Sequence, residues 1–382
     1  MKFLAEKTVL RDMFVIAAVS LLGLVLVLGI VDLTAYTVFG VRAPGHDAER
    51  FFAHHPRLGT FHRPGARGFW HRYRDGTRYW VEVNEHGFAD RERLVTKTRP
   101  RLALLGDSTA EFWEAPPEAR GHEVLAEKLG KDWEVLNFGV RGYGLDQLYV
   151  LFTEEVASFR PDIVLLHVCI NDVWDNLRQS GKPYFVPDPT SADGIRMEGV
   201  PVPAEEDAGR RSGWRWWLWE HSYSLRRLGL IRHPDLKAFY PLEEHFELRP
   251  FKINYSPEDV RAMSLTDKIL TRLVKTLTAS GARVLIVEMP YRPVLTEEGR
   301  ERIRKIYGDQ FAFDKWSAAL ARIAEENGVP ILSLPQVIRD EKVPVDEIFH
   351  PEDQLHINAR GIGVYADAVV RRLRALGWLS AE

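Results

Sequence analysis

The sequence predicts an α/β protein: a parallel five-stranded sheet with helices on both faces, preceded by a transmembrane helix and a small β-rich cap. Three observations carry this reading. From residue 99 onward, short apolar runs alternate with amphipathic segments. One of those runs, "PDIVLLHVCIND", is apolar nearly throughout, as a strand covered on both faces must be. Near the N-terminus, Met13 to Val31 carries no charge and follows a basic tail.

The elements follow in order. Residues 1–12 read as a cytoplasmic tail with Lys2, Lys7 and Arg11. Residues 13–34 read as a signal anchor. The apolar run is longer than that of a signal peptide, and Asp32-Leu33-Thr34-Ala35-Tyr36 offers no good small-residue cleavage site. Arg42 lies beyond the span, so the charge asymmetry is good but not absolute. Residues 35–98 are rich in His, Arg, Gly and aromatics and read as a juxtamembrane cap or stalk. Alternation at Tyr79, Val81 and Val83 marks a half-buried strand there.

Residues 99–382 form the predicted main domain. "RLALLG", "WEVLNFGV", "PDIVLLHVCIND", "ARVLIVEMP" and "VPILSL" are its strands. Helices are expected from Pro117 to Gly130, from Leu145, from a Ser256 cap to Gly281, over "DKWSAALARIAEENG", and from Asn358 to Leu376. An insertion, residues 176–255, has no clear sheet pattern. It begins Pro- and Gly-rich and continues into Trp214, Trp216, Trp217 and Trp219 interleaved with arginines. A membrane-interface or lid role and plain packing onto the domain are both open.

Composition narrows the function classes. Hydrophobic content is 45% and charged content 27%, which is globular, and a net charge of -3 argues against a nucleic-acid binder. Cys169 is the single cysteine, so no internal disulfide supports the fold. An extracytoplasmic domain has little access to ATP or NAD(P)H.

The chemistry collects at the carboxyl ends of the strands, where open α/β sheets bind ligands. The first strand stops at Gly106-Asp107-Ser108. Ordinary turn and cap chemistry explains the tripeptide by itself. A nucleophilic role for Ser108 needs a base, a group that orients the base, and donors for an oxyanion. His356 and Asp353, three apart in "EDQLHINARG", suit the base and the group that orients it if they share one face of a helical turn. His350, Asp353 and His356 have a spacing that could hold zinc, but this leaves Ser108 idle. Oxyanion donors are the N–H of Ser108, the N–H of Gly142 and the side-chain amide of Asn171. Gly139 competes with Gly142, and the spacing from Asn137 favours Gly142. Asp107 reads as an anchor of the turn, not a proton carrier.

Four blocks in this order, "GDS" at Gly106–Ser108, "NFGVRG" at Asn137–Gly142, "IND" at Ile170–Asp172 and "DQLH" at Asp353–His356, resemble the SGNH hydrolase (GDSL esterase/lipase) superfamily. The resemblance covers residues 99–376. It implies a flavodoxin-like three-layer α/β/α fold, with Ser108 as nucleophile, His356 as base and Asp353 orienting it. It implies Ser108, Gly142 and Asn171 as the oxyanion hole, and no metal or cofactor. Cys169 stands where many relatives have glycine, and reads as a buried apolar residue.

The expected function is an extracytoplasmic serine esterase, held to the cytoplasmic membrane by one helix with its N-terminus in the cytoplasm. Its expected substrates are short O-acyl esters on envelope or exported glycans, or on lipids. The alternatives are an O-acyltransferase using the same triad and a catalytically silent envelope-assembly module. Polysaccharide-modification proteins are the expected partners, alongside the membrane.

Overall fold

The computed structural model describes residues 2–38, 48–72, 77–204, 214–231, 246–351 and 353–379. The juxtamembrane residues 39–47 and the stretch of the predicted insertion at 205–213 lie outside the described residues. The chain divides into two compact units: Met1–His46, His71–Thr77 and Glu206–Leu242 form one, and Asp47–Trp70, Arg78–Glu205 and Glu243–Glu382 the other.

In the first unit, helix α1 (Lys2–Thr37) contains a stretch, Arg11–Thr37, long and apolar enough to cross a membrane. Helices α5 (Trp214–His221) and α6 (Tyr223–Arg227) pack on each other, and α6 packs on α1.

The second unit is built on five parallel strands: β1 (Arg101–Gly106), β2 (Glu134–Gly139), β3 (Ile163–Val168), β4 (Arg283–Glu288) and β5 (Ile331–Ser333). Their spatial order is β5-β4-β3-β1-β2. This is the doubly wound order whose ligand crevice opens beside the first strand. Every residue of β1 and β3 is buried, which is why those runs show no alternation. Gly106 pairs with Gly139, and Leu105 with Leu166, so the loops after β1, β2 and β3 leave the sheet at one edge.

Helices cover both faces. On one, α3 (Gly121–Leu129) packs against α9 (Ala359–Ala375). On the other, α7 (Pro257–Ala279) packs against α4 (Leu145–Glu154) and α8 (Lys315–Glu326). Ser256 starts α7 with a capping box: its Oγ accepts the Asp259 N–H and the Asp259 side chain accepts the Ser256 N–H.

Three local departures from expectation have physical causes. The helix expected over 117–130 is a short 3₁₀ turn (Pro117–Ala119) followed by α3. Arg120 between them is extended and donates to the Trp80 carbonyl at 2.7 Å. A helix at Glu297–Tyr307 goes unread in the sequence: Ile303, Ile306 and Tyr307 keep helical spacing, but charged residues dominate the segment and only Ile303 is buried. The insertion does contain sheet. Tyr184–Pro187 pairs antiparallel with Ile195–Glu198, in strands too short to show a period.

The N-terminal segment of this unit is β-rich, with hairpin strands Phe52–His55 and Gly59–His62 and a strand at Arg78–Glu82. Its own small core comprises Phe51, Ala66, Trp70, Val81, Val83, Ala89 and Trp113. Trp113 belongs to the loop after β1, so this segment packs directly on the edge where the site lies.

One fully buried ion pair ties the insertion to the sheet helices. Lys182 Nζ lies 2.7 and 2.5 Å from the two oxygens of Asp146, in the first turn of α4. Lys182→Met leaves a buried carboxylate alone, which costs about 3–5 kcal/mol, whereas the double change with Asp146→Leu restores most of it. Urea unfolding of the three proteins measures this. A single-variant loss below about 1 kcal/mol contradicts the pair's role.

Candidate active site

Ser108 opens a single-turn helix, α2 (Ser108–Glu111) in the loop order after β1, because Asp107 caps it. Asp107 Oδ1 accepts the Thr109 N–H at 2.8 Å and the Thr109 hydroxyl at 2.7 Å. The turn closes at Phe112, whose backbone is left-handed at φ 58°. Ser108 therefore sits on a rigid corner directly beyond the central strand.

His356 Nε2 lies 2.9 Å from Ser108 Oγ. Its Nδ1 lies 3.1 Å from each oxygen of Asp353. The carboxylate thus accepts a hydrogen bond from Nδ1–H, which keeps the proton on that nitrogen and leaves Nε2 to accept from the serine hydroxyl. The expected helical turn is corrected. Asp353 and His356 stand in a non-helical turn before α9, where Asp353 Oδ1 accepts the N–H groups of Leu355 and His356 at 3.0 Å each. The helix itself is capped later, by Asn358 on the N–H groups of Arg360 and Gly361. An Asp that binds its own downstream amides makes this turn and competes with helix formation.

Burial works against ionisation of Asp353, but the His356 side chain and the two backbone N–H groups outweigh it and hold the carboxyl far below the usual range. Burial also lowers the His356 pKa. The hydrogen bond and charge of Asp353, with Glu114 nearby, reverse this and leave it above 6.5; Arg141 pulls the other way.

The two competing glycines separate clearly. The Gly139 N–H donates to Asn137 Oδ1 at 2.9 Å. A Cβ on Gly139 would lie 2.2 Å from the Glu111 nitrogen, so glycine there lets α2 approach the sheet. Gly142 sits at φ +75° in the loop after β2 with open space around it. Among the described residues, neither the Gly142 nor the Ser108 N–H donates to an acceptor within the chain.

Asn171 follows β3 and reaches the same corner. Its amide donates to Asp107 Oδ2 at 3.0 Å and to Asp175 Oδ2 at 2.9 Å. Both amide protons are therefore engaged, and a substrate oxygen must displace one acceptor. Cys169 is buried and its thiol pKa is pushed up by burial and by Asp107, so it stays a neutral thiol.

Sequence reasoning missed the charged cluster beneath this corner. Glu111 is wholly buried and accepts from His62 Nε2 at 2.8 Å, from the Arg141 N–H at 3.2 Å and from Arg141 Nε at 2.7 Å. Arg141 also reaches Glu114 at 3.3 Å, and its guanidinium lies over the rings of Trp70 and Trp113. Burial opposes ionisation of Glu111, but Arg141 and His62 hold its pKa down. No local signal announces this cluster, because His62 stands 49 residues from Glu111.

Among the described residues, Asp90, His122 and Glu123 bring three potential metal-ligand atoms within 4.8 Å of one another. Their surroundings suit no cation. Arg93 holds both Asp90 oxygens, Arg91 pairs with Glu123, and His122 engages the Asn137 amide. Burial drives the His122 pKa down to about 3.

Beside His356 lies a small open depression. Thr109, Phe112, Ala115, Met289, Ile357 and Ile362 supply most of its lining.

Comparison with known proteins follows the same blocks. The GDSL-like lipase/acylhydrolase family matches residues 104–362. No curated protein matches the chain. Similar solved structures include a catalytic mutant of an acetylxylan esterase from Geobacillus stearothermophilus, 15% identical, covering 76% of this chain and 100% of its own, with a TM-score of 0.41. A lipase/acylhydrolase from Enterococcus faecalis is 13% identical, covering 74% and 98%, with a TM-score of 0.39.

The two glycines respond differently to a methyl group. Gly142→Ala meets only left-handed backbone strain, about 1–2 kcal/mol. Gly139→Ala forces backbone apart and costs more, about 3 kcal/mol or above. Thermal melts of both variants give the order, and a reversed order contradicts the assignment.

Proposed function

The chain belongs to the GDSL-like lipase/acylhydrolase family, and from that premise we propose that it is a membrane-anchored serine esterase, facing away from the cytoplasm, that removes short O-acyl groups. The observation that carries the reading is the continuous relay from Asp353 through His356 to Ser108, at 3.1 and 2.9 Å.

The reaction follows from that relay. Ser108 Oγ attacks the ester carbonyl carbon while His356 Nε2 takes the hydroxyl proton. The carbonyl oxygen becomes an oxyanion and accepts from the N–H groups of Ser108 and Gly142. Asn171 joins when its amide releases one of its two carboxylate acceptors. The C–O bond to the alcohol breaks, and the imidazolium gives its proton to the leaving oxygen. Water then attacks the acyl-enzyme with His356 again as base, releasing the acid and restoring Ser108.

The depression that His356 helps to line has a largely apolar wall, which suits an acyl group held next to the serine. O-acetyl groups on glycans are the substrate class we favour. The basic residues before the apolar run support a cytoplasmic N-terminus and an outward-facing sheet unit.

Full-length protein in detergent, assayed on aryl acetate and aryl decanoate with acyl-enzyme followed by intact mass, tests this. Ser108→Ala is expected to lower kcat/KM on acetate by about a thousandfold or more. Acetate is expected to exceed decanoate by at least about tenfold. Activity within tenfold of wild type in Ser108→Ala overturns the serine mechanism. An acyl-enzyme that discharges to a glycan rather than to water moves the reading to an acyltransferase. Folded protein that never acylates points to a silent module.

The pH dependence has a fixed sign. His356 acts as base only when neutral, and its pKa is raised from 6.5. The kcat/KM profile should therefore rise with pH through a midpoint above 6.5. A midpoint below 6.5 contradicts the assigned base.

A further inference from the structure

We propose that the tryptophan-bearing helix pair α5–α6 is an interfacial element that lies in the lipid headgroup layer, docked there by Asp32 of α1. The proposal rests on the reading that α1 spans a membrane.

The docking contact is specific. Asp32 Oδ2 accepts the Ser222 hydroxyl at 2.7 Å, and Asp32 Oδ1 accepts the Ser224 N–H at 2.6 Å. Ser222 is also the N-cap of α6, accepting the Leu225 N–H at 3.2 Å. Asp32 thus binds the first turn of α6, where free backbone N–H groups and the helix dipole favour a carboxylate. Ser222 and Ser224 are both buried.

Position along α1 sets the depth. The uncharged run Met13–Val31 extends about 28 Å at 1.5 Å per residue, close to the roughly 30 Å of a bilayer's hydrocarbon core. Asp32 is the first charge after it, so it belongs at the boundary, where a carboxylate is tolerated. Whatever Asp32 holds by two hydrogen bonds belongs at that level too.

The side chains on this pair suit that layer. Trp214 and Trp217, three apart on α5, are 71% and 60% exposed, and Leu228 and Leu230 beyond α6 are 62% and 68% exposed. Arg215 and Arg227 are exposed among them. Two open indoles and two open leucines are costly in water. At a bilayer boundary the rings and leucines meet acyl chains and the arginines meet phosphates. Trp217 additionally stacks on His221 at 5.1 Å, which holds its ring in place on the same face.

Full-length protein reconstituted into vesicles of phosphatidylcholine with some phosphatidylglycerol tests this, using lipids brominated at shallow or deep acyl positions. No tryptophan precedes Trp70, so α1 contributes no signal, and Trp214 and Trp217 are two of 11 tryptophans. Shallow bromines are expected to remove about a tenth to a fifth of the emission, and deep bromines less. The Trp214→Phe/Trp217→Phe double variant, altered only at exposed rings, should lose most of that quenching while its esterase activity is unchanged. Equal emission in plain and brominated lipid, from protein that floats with the vesicles, overturns the interfacial placement and leaves the anchor intact. Quenching that is undiminished in the double variant also overturns it; a residual part is expected from Trp216 and Trp219 on the same helix. Protein that fails to float overturns the spanning helix and this proposal with it.

Discussion

The buried carboxylate of Glu111 is the constraint on which the candidate site depends. It sits at the end of the turn that begins with Ser108, and its two oxygens bind His62 from the N-terminal hairpin and both backbone and side chain of Arg141. Arg141 immediately precedes Gly142. One side chain therefore sets the spacing between the serine corner and the loop that carries the second free N–H. An ionised carboxylate stays buried at this depth only because a guanidinium and an imidazole face it. The aromatic rings of Trp70 and Trp113 close over Arg141 and keep water from competing for these bonds. This explains why a segment outside the repeating β-α units is packed so firmly on the sheet's edge. It supplies His62 and Trp70, which complete the environment of Glu111.

Sheet topology does the rest of the positioning. With β1 between β2 and β3, three consecutive loops meet at one edge without any long-range folding back of the chain. Ser108, Gly142 and Asn171 then follow from where each loop begins. The exception is the Asp353–His356 turn, which comes from the far end of the chain, 248 residues after Ser108. It is fixed in two ways. Asp353 folds the turn on its own amides, and the Asn358 amide donates to the Glu347 and Phe349 carbonyls. The base is thus preorganised by backbone chemistry of its own segment, not by the helix that follows.

What the sequence reveals here follows the range of the physics. Apolar runs report burial on both faces, so four of the five strands were legible to within two residues; the third was read four residues past its end at Val168, because Cys169 and Ile170 continue the apolar run beyond the sheet. Asp107, Ser256 and Asn358 are caps that act within three residues, and they too are visible in one dimension. The same holds for the four blocks at the strand ends. The Glu111–Arg141–His62 cluster is invisible because its members meet only after the hairpin folds onto the sheet. The Asn171 amide shows the limit most clearly. Its residue type suggests an oxyanion donor, but Asp107 and Asp175 already occupy both of its protons. The helix at Glu297–Tyr307 escaped although Ile303, Ile306 and Tyr307 keep helical spacing, because charged residues dominate it and only Ile303 is buried.

The Asp353–His356 pair places stability and reactivity in different pH ranges. A histidine pKa raised above 6.5 means the folded state gains from the imidazolium, a contribution present below 6.5 and lost as pH rises through the folded value. An aspartate pKa held below 3.8 means the folded state gains from the carboxylate, a contribution present above 3.8 and lost as pH falls. The two coincide between about 3.8 and 6.5, where the pair is an ion pair and His356 cannot accept the Ser108 proton. The mechanism we propose needs the neutral imidazole, so it places activity on the alkaline side of the pair's own stability maximum. Glu114 and Arg141 act on that balance in opposite senses. Arg141 is matched by Glu111 and Glu114, so its pull on His356 is largely cancelled nearby. Were either carboxylate missing, the unmatched guanidinium would lower the histidine pKa, trading the ion pair's stability for a base that is free at lower pH.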